Sequence, residues 1–210
     1  MILPYCIVAE ASINAPATGV RETAVEEMDE DGLRCFYSRF ERQPESFTKE
    51  DVLQFHSTVQ ALFQHVAVIP FRFPTIVRSE QELRQFLHEK SAVYRATFEK
   101  LRNLVQMEVR IVNAAEYPAG AAASGKEYLQ RRLAAKRHRE LGVAWAQRAV
   151  EDLCLDWRQR QTRDAVRCYA LVLRENIGHF QNKIKAFSPS KNVHLFVSGP
   201  WPATEFIEEL

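Results

Sequence analysis

The chain has 210 residues, 46% hydrophobic and 26% charged, with a formal net charge of +1. That length suits one large domain or two small ones, and that balance suits a protein able to bury a core. A near-zero net charge excludes recognition driven by global charge. No apolar run approaches the roughly 20 residues needed to span a bilayer, and the opening MILPYCIVAEAS lacks the basic and long apolar regions of a signal peptide, so the expected compartment is the cytoplasm.

In chain order, residues 2–10 (ILPYCIVAE) predict a strand, the turn formers SINAPATG follow, and residues 20–28 (VRETAVEEM) predict a weaker strand. EDG at 30–32 predicts a tight turn. GLRCFYSRF then alternates, Leu33, Cys35 and Tyr37 on one face against Arg34, Phe36 and Ser38 on the other, which is the period of a strand. PESFTKEDVLQFHSTVQALFQHV predicts a helix with Thr48 at its N-cap and Asp51 closing a capping box. Its buried stripe is Val52, Phe55, Val59, Leu62, Phe63 and Val66. In VAVIPFRFPTIV, Pro70 and Pro74 each remove a backbone donor, so this strand is short, interrupted or at an edge. Ser79 and Glu82 form the capping box of a second helix, whose apolar face is Leu83, Phe86, Leu87, Val93 or Tyr94, and Leu101. VQMEVRIV alternates again, with Val105, Met107, Val109 and Ile111 on one side. This order predicts an α+β fold: a ferredoxin-like domain over 1–115, with both helices on one face of an antiparallel or mixed sheet.

NAAEYPAGAAASG, residues 113–125, reads as a linker or mobile loop. A smaller domain over 116–210 follows. KEYLQRRLAAKRHRELGVAWAQRAVEDLCLDWRQR has no proline and predicts one helix of about 30 residues, with Gly142 as a weak point or bend. RDAVRCYALVLR predicts a strand, ENIGHFQNKIKAF a short helix and KNVHLFVSGPW a final strand, giving helix–strand–helix–strand.

Chemistry-bearing motifs are scarce. Cys6, Cys35, Cys154 and Cys168 form no C-x-x-C pair, sit among apolar residues and read as buried thiols; a reducing cytoplasm argues against a Cys6–Cys35 bridge. The six histidines form no H-E-x-x-H or Cys/His cluster, so neither a metal nor a cofactor is expected. No G-x-S-x-G, G-x-G-x-x-G or P-loop occurs, and the acidic run EEMDED reads as a solvated turn, so no catalytic residue is assigned. PFRFPTIV does not match the aromatic sheet motif of an RNA-recognition domain, which argues against nucleic-acid binding. Charge is unevenly spread, though: residues 22–31 are acidic, while QRRLAAKRHRE at 130–140 is basic. Arg131, Arg132, Lys136, Arg137 and Arg139 form either a solvated helix surface or a candidate docking face for phosphates, a membrane surface or an acidic partner.

Two segments carry a resemblance. VAVIPFRFPTIVRSEQELRQFL (66–87) resembles the central signature of the gas vesicle protein F/L family, a hydrophobic strand followed by P-x-R-F-G-T, an apolar residue and a capped helix. SGPWPATEF (198–206) resembles the same family's closing motif T-G-P-W-P-P-Y-S-F. Tyr5, Ile7 and Val8 match an opening Y-x-I-V, His56 lies on the helix before the signature, and ALVLRENIGHF (170–180) falls in the penultimate strand and helix. Pro74 in place of glycine, and ATEF in place of P-Y-S-F, mark a divergent member. The resemblance implies a two-domain α+β protein without enzymatic activity, found with gas vesicles in the cytoplasm. Its implied partners are the hydrophobic shell protein and other accessory proteins, and its implied role is to assist assembly. The alternative is a scaffolding or regulatory module with a non-vesicle partner. On this reading Arg72, Phe73 and Thr75 define a turn, Arg72 tying a buried carboxylate or backbone carbonyls. Gly199 permits an unusual backbone angle, while Pro200 and Pro202 fix the path around Trp201, expected to anchor the C-terminal unit to the N-terminal domain.

Overall fold

The computed structural model describes residues 1–9, 13–42, 44, 46–114, 124–162, 165–186 and 193–207. The fold is α+β, with two four-stranded antiparallel sheets and four α-helices among the described residues. The chain divides into two units, Met1–Asn103 with Trp201–Leu210, and Leu104–Pro200. The boundary expected at 115/116 thus moves to 103/104, because the strand at Leu104–Asn113 pairs with Ala165–Leu173 and takes its residues into the second sheet. Most of the expected linker, 115–123, lies outside the described residues.

The first unit runs β1 (Ile2–Val8), β2 (Val25–Glu30), β3 (Leu33–Arg39), α1 (Lys49–Phe63), β4 (Ile69–Pro70) and α2 (Glu80–Lys100), with sheet order β2-β3-β1-β4. The β2–β3 hairpin turns at Asp31 and Gly32, both at positive φ (53° and 72°), as a two-residue primed turn requires. The two helices lie on opposite faces of this sheet, not on one. Leu33, Cys35 and Tyr37 share a buried cluster with Leu83, Leu87, Tyr94 and Phe98 of α2. Tyr5 faces the other way, against Phe55 of α1 (ring centroids 5.3 Å) and Ser38 (Oη to Oγ 2.8 Å). The reason is written in β1: ILPYCIV has no polar alternation and every residue is buried, as in a strand covered on both sides.

The α1 face is tied together by polar contacts. The Tyr5 hydroxyl also accepts the Val20 amide (2.8 Å), and a Cβ on Gly19 would come within 2.0 Å of that hydroxyl, so the approach demands glycine. Arg21, at φ 56°, donates from Nε and Nη2 to the two Asp51 oxygens (3.0 and 2.9 Å). Asp51 and Thr48 form the full capping box expected for α1, worth about 1 kcal/mol. Ser79 caps α2 by accepting the Glu82 amide (3.2 Å), but the Glu82 carboxylate accepts from the Arg78 amide (2.9 Å), one residue further back than in a standard box. Val52, assigned to the buried stripe of α1, is 44% exposed, while Phe55, Val59, Leu62, Phe63 and Val66 are buried.

The second unit runs β5 (Leu104–Asn113), α3 (Gly125–Ala149), β6 (Cys154–Gln161), β7 (Ala165–Leu173), α4 (Ile177–Ala186) and β8, whose strand Val193–Trp201 carries the chain out of the unit. Its sheet order is β6-β7-β5-β8, built on a βαββαβ sequence of elements. The first sheet has the same strand order, and among the described residues its β1–β2 connection carries only a short 3-10 turn, Val20–Glu22. The expected 30-residue helix stops at Ala149: Cys154 to Arg160 instead belong to β6, because pairing with β7 outweighs their helix propensity. Gly142 is not a bend. A Cβ there would meet Ile111 Cγ2 at 3.0 Å and Val193 Cγ2 at 3.5 Å, so glycine lets α3 approach β5 and β8 closely. Val105, Met107, Val109 and Ile111 all point to one buried face, opposite Val172, Ala170, Cys168 and Val166 of β7.

Candidate functional site

The segment 69–77 leaves the sheet and returns to it. Ile69 and Pro70 pair with Ile7 and Cys6, and the Phe71 amide donates to Tyr5 O (2.9 Å). Pro70 has no amide to extend the ladder. The chain loops away and comes back where Val77 exchanges two backbone bonds with Ile2 (2.8 and 2.9 Å). Inside the loop, Phe73 is pinned edge-on to Phe47 and tilted against Phe55, each at 5.0 Å, extending the aromatic series that begins at Tyr5. The Thr75 hydroxyl donates to Arg72 O and closes the turn. The Phe73–Pro74 bond is cis.

Between this loop and α2 lies a cavity of about 670 Å³. Its floor is Ile7 and Ile69, and its walls include Phe71, Ile76, Val77, Phe86 and Tyr94. Phe71 and Phe86 stand 5.7 Å apart, Phe86 and Tyr94 6.2 Å, all tilted, as aromatic neighbours prefer. The volume lies in the ordinary range for ligand clefts, roughly 300–1,000 Å³. Phe86, read from periodicity as part of the buried face of α2, is only half-buried here and lines the opening. The helical spacing of Phe86 gave no sign of this, because facing a core and facing a groove require the same period.

Arg72 stands at this cavity and is exposed. Among the described residues its guanidinium has no carboxylate, carbonyl or aromatic partner, so the expected tie to a buried carboxylate is not made. The other residues with polar side-chain groups lining the cavity are Thr75, Tyr94, Thr204 and Glu82, whose carboxylate accepts from the Arg78 amide.

The closing motif sits in both units. Gly199 has φ +113°, in the region other residues resist, and the Gly199–Pro200 bond is cis. Trp201 belongs to the first unit, half-buried, with its ring 5.6 Å from that of His56 on α1. Pro202 O then accepts the Thr204 amide (2.8 Å), starting a short turn at Thr204–Phe206. Phe206 is buried and Ile207 packs against the α2-side core.

The basic residues of α3 are largely matched within their own unit. Arg131 pairs with Glu127, Lys136 lies 3.7 Å from Glu140, and Arg132 stacks over Tyr128 (5.7 Å). Asn113 accepts from Arg139 Nη1 at 2.8 Å. Arg137 is exposed and, among the described residues, has no ion-pair partner. The same helix exposes Tyr128, Leu129 and Leu133. No helix among the described residues is long and apolar enough to cross a membrane.

All four cysteines are free thiols, including Cys6 and Cys35. Burial pushes the Cys6, Cys35 and Cys168 thiols up, and Cys154 to about 11. His56 and His194 lie in different units.

The model of the family described as gas vesicle synthesis protein GvpL/GvpF matches residues 2–208. The chain belongs to this family. The crystal structure of the gas vesicle protein GvpF from Anabaena sp. PCC7120 is similar at TM-score 0.81 and 14% identity, covering 99% of this chain and 95% of that one. GvpF from Microcystis aeruginosa is similar at TM-score 0.78 and 12% identity, covering 99% and 98%. A comparison with curated protein sequences finds no match. Family membership gives this chain a role related to gas vesicles. The R-F-x-T turn and the G-P-W-P exit, read in sequence as the family's motifs, fall at the groove and at the His56–Trp201 contact respectively.

Proposed function

We propose that this protein is a non-catalytic accessory factor of gas vesicle formation, acting in the cytoplasm and at the vesicle by binding the hydrophobic shell protein and so assisting its assembly. A shell subunit with a face destined for gas is prone to aggregate before it is assembled, and a partner that covers apolar surface suppresses that. The observation that carries the reading is the apolar groove beside the family's signature turn, within a chain that matches the family over nearly its whole length. The groove is large enough to take two or three apolar side chains of a partner segment, the usual form of an apolar docking site. The test is co-expression with the main gas vesicle shell protein of the same host, followed by fractionation and pull-down. Soluble, co-purifying shell protein supports the reading. Insoluble, unbound shell protein refutes it.

A second reading, a scaffolding or regulatory module with a partner outside the vesicle, is favoured by the exposed Leu129 and Leu133 beside Arg132 and Arg137 on α3. Substituting both leucines with serine while leaving shell-protein capture intact, yet losing another bound protein, would favour that reading.

A further inference from the structure

The residues of the signature turn contribute unequally to the fold. Phe73 is committed to the α1 aromatic series, with rings at 5.0 Å on two sides. Thr75 closes the turn through Arg72 O. Pro70 and Val77 hold the two ends of the loop against β1. The Arg72 side chain alone plays no part in holding the loop. It is exposed, borders the 670 Å³ cavity, and among the described residues touches no acceptor. The other rim charge, Glu82, is occupied by the Arg78 amide. A guanidinium always carries its charge and presents donors in a fixed fork that matches a carboxylate.

We propose that Arg72 is a specificity residue, and that the groove takes a segment of the shell protein carrying an apolar side chain and, next to it, a carboxylate. The apolar side chain enters between Phe86, Phe71 and Ile76, and the carboxylate takes both arms of the Arg72 fork. This rests on the assembly-partner reading above and adds to it a charge requirement at a named atom group. Charge complementarity selects the occupant: apolar walls alone would accept any greasy segment, whereas the unpaired guanidinium rewards a carboxylate placed against it, a preference local to Arg72 because Glu82 keeps its own charge on the same lining.

The test uses the full-length chain co-expressed with the host's shell protein. Wild type, Arg72→Lys and Arg72→Glu are compared for shell protein captured at about 50 mM and about 500 mM salt. Because Arg72 is exposed and its side chain makes no contact that holds the fold, both variants are expected to melt as wild type does, which circular dichroism checks. Arg72→Glu is expected to lower capture at least tenfold at low salt, since it places like charges together. Arg72→Lys is expected to retain part of the binding, having the charge without the fork. Wild-type capture is expected to fall several-fold at high salt while the residual capture by Arg72→Glu does not. Equal capture by wild type and Arg72→Glu overturns the role of Arg72 and leaves the assembly reading standing. No capture by wild type overturns the assembly reading and this inference with it.

Discussion

Replacing Asp51 with asparagine tests whether the α1 face is held by charge or by shape. The Asp51 side chain is 5% exposed and accepts three bonds: Arg21 Nε at 3.0 Å, Arg21 Nη2 at 2.9 Å and the Thr48 amide at 2.8 Å. Asparagine keeps the volume and one acceptor but loses the charge. The Arg21 guanidinium is the main cause that holds the carboxyl down, from the ordinary 3.8 to about 2. A shift of that size corresponds to roughly 2 kcal/mol in favour of the folded state. Arg21 is itself 39% exposed, so solvent screens part of the attraction and about 1–2 kcal/mol is the expected loss in Asp51→Asn at neutral pH. The sign follows from the direction of the shift: a depressed folded pKa stabilises above the unfolded value near 4, and the contribution disappears as pH falls through about 2. Urea unfolding followed by circular dichroism should therefore show wild type ahead of Asp51→Asn at pH 7 and pH 5, with the gap closing toward pH 2. A gap of the same size at every pH would refute the electrostatic argument and leave Asp51 as a cap by shape alone.

Tyr5→Phe should cost about 1–3 kcal/mol, because the Val20 amide and Ser38 lose their buried partner. Gly19→Ala should also destabilise, and the double substitution should cost less than the sum, since the 2.0 Å clash is with the hydroxyl that Tyr5→Phe removes; additive losses in thermal unfolding would contradict the contact. Gly32→Ala should cost about 1–2 kcal/mol through its positive φ, with space around the new methyl, and a neutral result would mean the hairpin rearranges. Iodoacetamide at pH 8, read by mass spectrometry, should label Cys154 before Cys6, Cys35 and Cys168; rapid labelling of Cys6 or Cys35 in the folded chain would contradict their burial.

What could be read in the sequence was what local chemistry decides. The Thr48–Asp51 box, the Ser79 cap, the Asp31–Gly32 turn and the alternation of β5 depend on a few neighbouring residues, and each stands where its residues put it. The elements misplaced were those that a distant strand decides. Cys154 to Arg160 read as helix because nothing local forbids it, and only β7 makes them a strand. Placing the two helices of the first unit on opposite faces likewise required knowing that Phe36 and Ser38 are buried as deeply as Cys35 and Tyr37, a fact about what covers the sheet rather than about β3. In the candidate site, the motif residues were legible, but the division among them was not. Arg72, Phe73 and Thr75 are three neighbouring signature positions, and only coordinates reveal that two of them build the loop and one does not.

The groove follows from how the first sheet is sealed. With α1 on one face and α2 on the other, β1 and β3 are covered on both sides, and β2 continues the sheet beyond β3. The remaining edge belongs to β4, which pairs for only two residues before Pro70 ends the ladder. Val77 closes the edge again at Ile2, so residues 71–76 must bridge the interval without pairing with β1 beyond the Phe71 amide. An interrupted edge strand of this kind stops short of Phe86, which stays half-buried, and the space it borders with Ile7 and Tyr94 is the cavity. The two prolines of the signature segment therefore do more than end a strand: one stops the ladder and the other stands inside the loop that displays Arg72. A fold that closed this edge with a full-length β4 would have no groove, so the opening follows from Pro70, a position shared with the family's signature, while Pro74, where the signature has glycine, is a departure from it.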